Sequence, residues 1–197
     1  MKIVIATRNP GKLREMRALF TADDAVEVIP LDGFGNIPDA IEDGASFEQN
    51  ALKKARHVAA RTGLPALADD SGLVIDALGG EPGIRSARYG PAGADDDERN
   101  KLVLERMGNV PDGERTARFV CVIAISLPGG RDYFAYGECA GEIARQARGG
   151  EGFGYDPIFL LPGRGKTMAE IPAEEKNTIS HRSKALAKAR DILRRLA

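Results

Sequence analysis

The sequence predicts an α/β domain with a mixed central β-sheet, divided into two lobes. Three observations predict it. The chain opens on a strand–turn–helix unit, the kind that sets strands parallel. Its early strand-like runs are almost continuously apolar, as in sheets covered on both faces. Two long alternating runs then flank Pro128-Gly129-Gly130, a hairpin signature that pairs strands antiparallel.

In chain order, Lys2 to Thr7 reads as a buried strand with β-branched Ile3, Val4 and Ile5. Arg8-Asn9-Pro10-Gly11 is turn chemistry, and Leu13, Met16 and Leu19-Phe20 recur at helical spacing. Glu27 to Leu31 reads as a second strand. Residues 32–45 form a Gly/Pro/Asp loop carrying Asp39, Glu42 and Asp43. Ser46 with Gln49 three residues on resembles a capping box, and Ala51, Leu52, Ala55, Val58 and Ala59 form the stripe of the helix it starts. Gly63 and Pro65 end that helix. Leu64 to Leu78 reads as a strand interrupted at Asp69-Asp70-Ser71-Gly72. Residues 79–93 read as irregular, and Asp95 to Met107 as a charged helix. Arg115 to Leu127 and Arg131 to Ala147 are the hairpin strands. A glycine-rich loop (149–154), a short strand (Pro157 to Leu161) and a last helix capped by Ser180 and ending at Leu196 complete the chain.

Composition narrows the function. The 197 residues carry 28 Lys+Arg against 29 Asp+Glu, so neither a basic nucleic-acid coat nor an acidic tail is expected. No apolar run reaches the ~20 residues of a membrane span, and Met1-Lys2-Ile3 leads straight into a strand, not a signal peptide. Cys121 and Cys139 are too few for a disulfide framework or a four-cysteine zinc site, which points to a reducing cytoplasm.

Four segments could carry chemistry. In Thr7-Arg8-Asn9-Pro10-Gly11-Lys12 a strand-to-helix turn offers backbone N–H groups to an anion. Lys12 stands in the first helical turn, where a cation opposes the helix dipole unless an anion joins it. The segment is not a Walker loop, because the first glycine is missing and Leu13 replaces the Ser/Thr. It serves equally as a plain turn with an exposed lysine. Ala68-Asp69-Asp70-Ser71-Gly72-Leu73 places two carboxylates at the end of an apolar run, suited to Mg²⁺ with phosphate oxygens. Neighbouring strand residues point to opposite faces, so a straight strand aims only one of the pair at a given site. A strand-end turn is the alternative. Residues 149–157 mimic G-x-G-x-x-G, but no helix follows Asp156-Pro157, so a dinucleotide fingerprint is rejected. Phe153 could stack on a base with Asp156 accepting from base N–H groups, or could pack in the core. In Glu174 to Arg182, Lys176, His181 and Arg182 gather donors at a helix start; a solvated charged segment is the alternative. His57 reads as a packed or surface residue.

Taken in order, these segments resemble the inosine triphosphate pyrophosphatase family. The motifs are T-x-N-x-x-K at Thr7, Asn9 and Lys12, ADDSGL at 68–73, FGYDP at 153–157 and EK-x3-SHR at 175–182, with LGG-x-PG (78–83) and SARY (86–89) in support. The resemblance runs from residue 2 to about 195, so residues 1–197 are expected to form one such domain. It implies an elongated, two-lobed α/β fold with a long mixed sheet flanked by helices and an active-site cleft between the lobes. It also implies Mg²⁺-dependent hydrolysis of non-standard purine nucleoside triphosphates (dITP, ITP, XTP) to the monophosphate and pyrophosphate, a house-cleaning activity that keeps deaminated purines out of nucleic acids. A cytoplasmic homodimer with no nucleic-acid or membrane partner is implied as well. By position, Thr7, Arg8, Asn9, Pro10, Gly11 and Lys12 would bind the triphosphate. Asp70 would be the metal-linked catalytic carboxylate, Ser71 a substrate contact and Glu42, in preference to Asp39, a second metal ligand. Phe153, Gly154, Tyr155, Asp156, Lys176, His181 and Arg182 would form the base site. Arg8 stands where glycine is common in the family, and Tyr155 where some relatives have Trp. A Maf-like pyrophosphatase and a nucleotide-binding module without turnover are the competing readings; the FGYDP and SHR segments disfavour the first, and Asp70 with Glu42 the second.

Overall fold

The computed structural model describes residues 1–20 and 26–197; the side chain of Leu19, expected on the first helix's apolar stripe, lies outside the described residues. The β-branched start forms β1 (Lys2–Ile5). Asn9 then caps α1 (Pro10–Phe20): its Oδ1 accepts the Lys12 N–H at 3.0 Å, and Pro10 takes the first position, where its missing N–H costs nothing. β2 (Glu27–Pro30) pairs parallel with β1.

α2 (Phe47–Thr62) starts at Ser46, whose Oγ accepts the Gln49 N–H. Gln49 reaches back one residue further than a capping box requires, to the Ala45 N–H. Gly63, at φ 67°, closes the helix by donating to Ala59 O, a conformation only glycine adopts freely. β3 (Ala66–Ile75) pairs parallel with β1 and runs on without the interruption expected at residues 69–72. The turn-forming residues Asp, Ser and Gly lose to ladder pairing on a strand flanked by neighbours on both sides.

α3 (Asp96–Arg106) has a full capping box between Asp95 and Glu98. β4 (Thr116–Ser126) and β5 (Asp132–Ile143) are the expected hairpin. Asp156–Ile158 is a 3₁₀ turn, so β6 (Phe159–Leu161) begins two residues later than expected; β7 (Lys166–Thr167) follows it. A short helix, α4 (Ala173–Ile179), was not anticipated, because seven residues are too few to show a period. Ser180, in extended conformation, donates its N–H to Lys176 O to close α4, and α5 (His181–Leu196) follows. The sheet order is β2-β1-β3-β4-β5-β6-β7, parallel at β2-β1-β3 and antiparallel at β5-β6-β7. The fold is thus α/β with a mixed sheet. No described helix is long and apolar enough to cross a membrane.

The chain divides into two compact units. One comprises residues 1–70, 121–137 and 181–197. Its strands bury both faces. Ile3, Ile5 and Leu67 face Met16 of α1 and Ala185, Leu186, Ala189 and Leu193 of α5. Val4, Ala6, Ala66 and Ala68 face Ala51, Ala55, Val58 and Ala59 of α2. The period-2 alternation of β1 and β3 therefore sorts their side chains between two helical layers. Cys121 is buried in this unit, its thiol pushed up to about 12 by burial and by the nearby Asp69 charge.

At Gly137 the backbone of β5 lies close against the start of α5. A Cβ there would lie 2.1 Å from His181 O and 2.6 Å from Ala185 N, both helix backbone atoms that cannot swing aside. Gly137→Ala is expected to cost about 1–3 kcal/mol, read as a lower urea midpoint at unchanged m. An unchanged midpoint would mean that α5 yields freely.

The other unit comprises residues 71–120 and 138–180. Its core holds Leu73, Ile75, Val103, Met107, Ile158 and the Phe119–Phe159 ring pair, 4.3 Å between centroids. Arg115 is buried here and donates to the carbonyls of Met107, Val110, Ile143 and Ala144, fastening the end of α3 to β5.

Candidate active site

Because β3 continues to Ile75, Asp69 and Asp70 face opposite ways. Asp69 follows Leu67 onto the face covered by α1 and α5; Asp70 follows Ala66 and Ala68 onto the face covered by α2. Each therefore acquires its own partners.

Asp69 Oδ2 accepts from Lys12 Nζ at 2.9 Å and from Arg182 Nε at 3.2 Å. Arg182 Nη1 donates to Glu15 of α1. Burial opposes the charge on Asp69, but Lys12, Arg182 and Lys54 outweigh it and hold the carboxyl well below the usual carboxylate range. Burial likewise opposes the charge on Arg182, and Asp69 and Glu15 hold it firmly protonated. The cation in the first turn of α1 thus has an internal anion, which removes the dipole conflict noted above.

Asp70 Oδ2 accepts from Asn50 Nδ2 at 3.2 Å, and its Oδ1 lies 3.3 Å from Lys54 Nζ. The same ammonium is 3.0 Å from Glu42 Oε1. Burial raises the Asp70 carboxyl above its ordinary value, with Glu42 adding to the rise and Lys54 and Lys12 pulling against it. Burial works to lower Lys54, but the charges of Asp70, Asp69 and Glu42 prevail and raise it. Asn50 is fully buried and also accepts the Gly44 N–H at 2.8 Å, so one side chain ties the acidic loop to Asp70. Gly44 has to be small, since a Cβ would meet Asn50 Oδ1 at 2.6 Å. The three loop acids separate: Asp39 pairs with Arg8, which also donates to Ile37 O; Asp43 pairs with Lys53; Glu42 shares an ammonium with Asp70.

In the second unit, Asp156 Oδ2 accepts from Lys176 Nζ at 2.6 Å and from the Phe153 N–H at 2.9 Å. The Lys176 ammonium stands 4.8 Å from the centroid of the Phe153 ring, a cation–π distance. Gly152, at φ 79°, leaves room for the Asp156 carboxylate, whose Oδ2 would sit 2.1 Å from a Cβ. Gly154 donates to Asp96 Oδ2 and accepts from Asn100 Nδ2, so α3 holds the loop. Tyr155 is the aromatic that enters the core, its hydroxyl donating to Ser86 O at 2.8 Å; Phe153 stays half-buried.

The expected site residues therefore form two groups. Thr7 to Lys12, Glu42, Asp70, His181 and Arg182 belong to the first unit; Ser71, Phe153 to Asp156 and Lys176 belong to the second. Lys176 and Arg182, read together as one donor cluster, have separate carboxylate partners, Asp156 and Asp69. Sequence reasoning missed Asn50, Lys54 and Glu15. The signal was present: Asn50 and Lys54 stand four apart on α2 beside its apolar stripe, and Glu15 follows Lys12 by three on α1.

The profile of the Ham1 family matches residues 3–192. A dITP/XTP pyrophosphatase of Geobacter sulfurreducens is 50% identical over 98% of this chain and 96% of its own length. One from Symbiobacterium thermophilum is 52% identical over 98% and 94%. Among solved structures, a HAM1 protein from Coxiella burnetii superposes with a TM-score of 0.90 at 46% identity, covering 98% of both chains. The Ham1 protein of Staphylococcus aureus superposes with a TM-score of 0.89 at 38% identity over the whole of both.

Proposed function

The chain belongs to the Ham1 family, and from that membership we infer that it is a nucleoside triphosphate pyrophosphatase of non-standard purines such as dITP, ITP and XTP. The products are the nucleoside monophosphate and pyrophosphate, so deaminated purines are removed before they enter nucleic acids. The observation that carries the site assignment is the convergence of Glu42 and Asp70 on one point, in the unit that also holds the Lys12 turn.

That donor set fits Mg²⁺. The ion is typically held by one or two carboxylates, with phosphate and water completing its shell. Glu42 and Asp70 would hold the ion, and Mg²⁺, when bound, would neutralise charge on the triphosphate. Lys12 and the Thr7–Gly11 turn bind the phosphates. Asp70, oriented by Asn50, positions the water that attacks the α-phosphorus; the bond from that phosphorus to the α–β bridging oxygen breaks, and pyrophosphate leaves.

Base choice follows from donors and acceptors. A 6-oxo purine presents an acceptor at C6 and a donor at N1, and adenine reverses both. Asp156 supplies an acceptor for N1–H, Lys176 a donor for O6, and Phe153 a stacking face. His181 and Arg182 complete the substrate contacts. Adenine would set its N1 acceptor and C6 amino donor against Asp156 and Lys176 with the wrong polarity, which is worth about 10²–10⁴-fold in kcat/KM. Pyrophosphate release from dITP, XTP, dATP and dGTP, with and without Mg²⁺, tests the assignment. The expected result is Mg²⁺-dependent turnover of dITP and XTP with dATP poor; equal rates on dATP would refute the pocket. We propose further that the enzyme works in the cytoplasm as a homodimer.

A further inference from the structure

We propose that Lys54 is a built-in competitor for the metal: its ammonium bridges Glu42 and Asp70, the two carboxylates assigned to Mg²⁺, and has to leave them before the ion can bind both. The inference rests on the reading of those two residues as the metal ligands.

The geometry is that of a counter-ion in place. Lys54 Nζ lies 3.0 Å from Glu42 Oε1 and 3.3 Å from Asp70 Oδ1, and its side chain is only 15% exposed. Two partly buried carboxylates that converge on one point repel each other, and the Lys54 ammonium between them offsets that repulsion. Mg²⁺ binds carboxylate oxygen at about 2.1 Å, well inside the ammonium distance, so an ion seated between the same two oxygens takes the place the ammonium holds. Replacing a charge of +1 by +2 between two carboxylates takes the cluster from −1 to neutral.

Two consequences follow. Mg²⁺ binds the nucleotide-free enzyme weakly, because it has to expel an ammonium already held by two charges. The expelled ammonium then needs a new anion, and the triphosphate supplies one. Metal and nucleotide therefore bind with positive coupling, and Lys54 is the residue through which they couple. Asn50 does not move in this exchange, since it grips the other oxygen of Asp70.

Titration of the full-length protein with Mg²⁺ alone, followed by calorimetry, tests the proposal. Lys54→Met is expected to bind Mg²⁺ about tenfold or more tightly than the unmodified enzyme, because a competing unit charge is gone. Lys54→Arg, which keeps the charge, should retain weak binding, and Asp70→Asn should abolish it. If Lys54→Met does not fold, as judged by far-UV circular dichroism, Lys54→Gln is titrated in its place with the same expectation. Equal or weaker Mg²⁺ binding by the folded neutral variant, with binding lost in Asp70→Asn, would overturn the role of Lys54 and leave the metal site standing. Mg²⁺ binding by Asp70→Asn at the unmodified enzyme's affinity would overturn the metal assignment itself, and this inference with it.

Discussion

Asp70→Asn is expected to lower kcat on dITP by about 10²–10⁴-fold while the protein stays folded. The substitution keeps the shape of the side chain and its contact with Asn50, but removes the charge proposed above to hold the metal and position the water. Stability should not suffer. The Asp70 carboxyl is raised in the folded chain chiefly by burial, so its ionised form is disfavoured by folding. A carboxyl raised by folding destabilises the native state at pH values above its folded pKa, and a neutral amide escapes that cost. Lys54 keeps Glu42 as a partner. The expected pattern is therefore a thermal midpoint at or above that of the unmodified protein beside near-complete loss of pyrophosphate release. A kcat within threefold of the unmodified enzyme would remove Asp70 from the mechanism.

Asp69→Asn, one residue away, is expected to fail in the opposite manner. Asp69 is buried between Lys12 and Arg182, and Arg182 is itself buried. Removing the anion takes from the buried Arg182 guanidinium and from the Lys12 ammonium the carboxylate they share. Breaking a buried pair from one side costs about 3–5 kcal/mol, a large share of the stability of a domain. Urea denaturation monitored by circular dichroism should show a midpoint shifted accordingly. pH provides a second readout. The folded-state pKa of Asp69 is depressed, so its contribution is present above its unfolded value and is lost as pH falls from about 4 toward the folded value. The unmodified protein should lose stability across that acid range, and Asp69→Asn should lose less. A shift under about 1 kcal/mol would show that the network is not holding the fold.

The elements most legible in the sequence were those decided locally. Ser46 and Gly63 bracket α2 because capping and left-handed closure depend on a few adjacent residues. The hairpin of β4 and β5 was legible because its turn chemistry and alternation lie within one stretch. β3 was misread as interrupted because Asp, Ser and Gly form turns when nothing else pairs their backbone, and here the sheet pairs it. α4 escaped notice because seven residues span only two turns.

The sequence by itself determined the α/β class, the hairpin, the caps and the four ordered motifs, since each depends on side-chain types at short, fixed separations. Only the tertiary structure decided which partners the motif residues meet. It parted Asp69 from Asp70 by continuing β3 through them. It brought Arg182 to Asp69 across 113 positions of chain. It placed Lys54 between Glu42 and Asp70, and gave Asp39 and Asp43 other partners. The physical reason is that the partner of a carboxylate is chosen by whatever is packed within about 4 Å of it. Proximity of that kind comes from strands and helices meeting face to face, and spacing along the chain does not encode it.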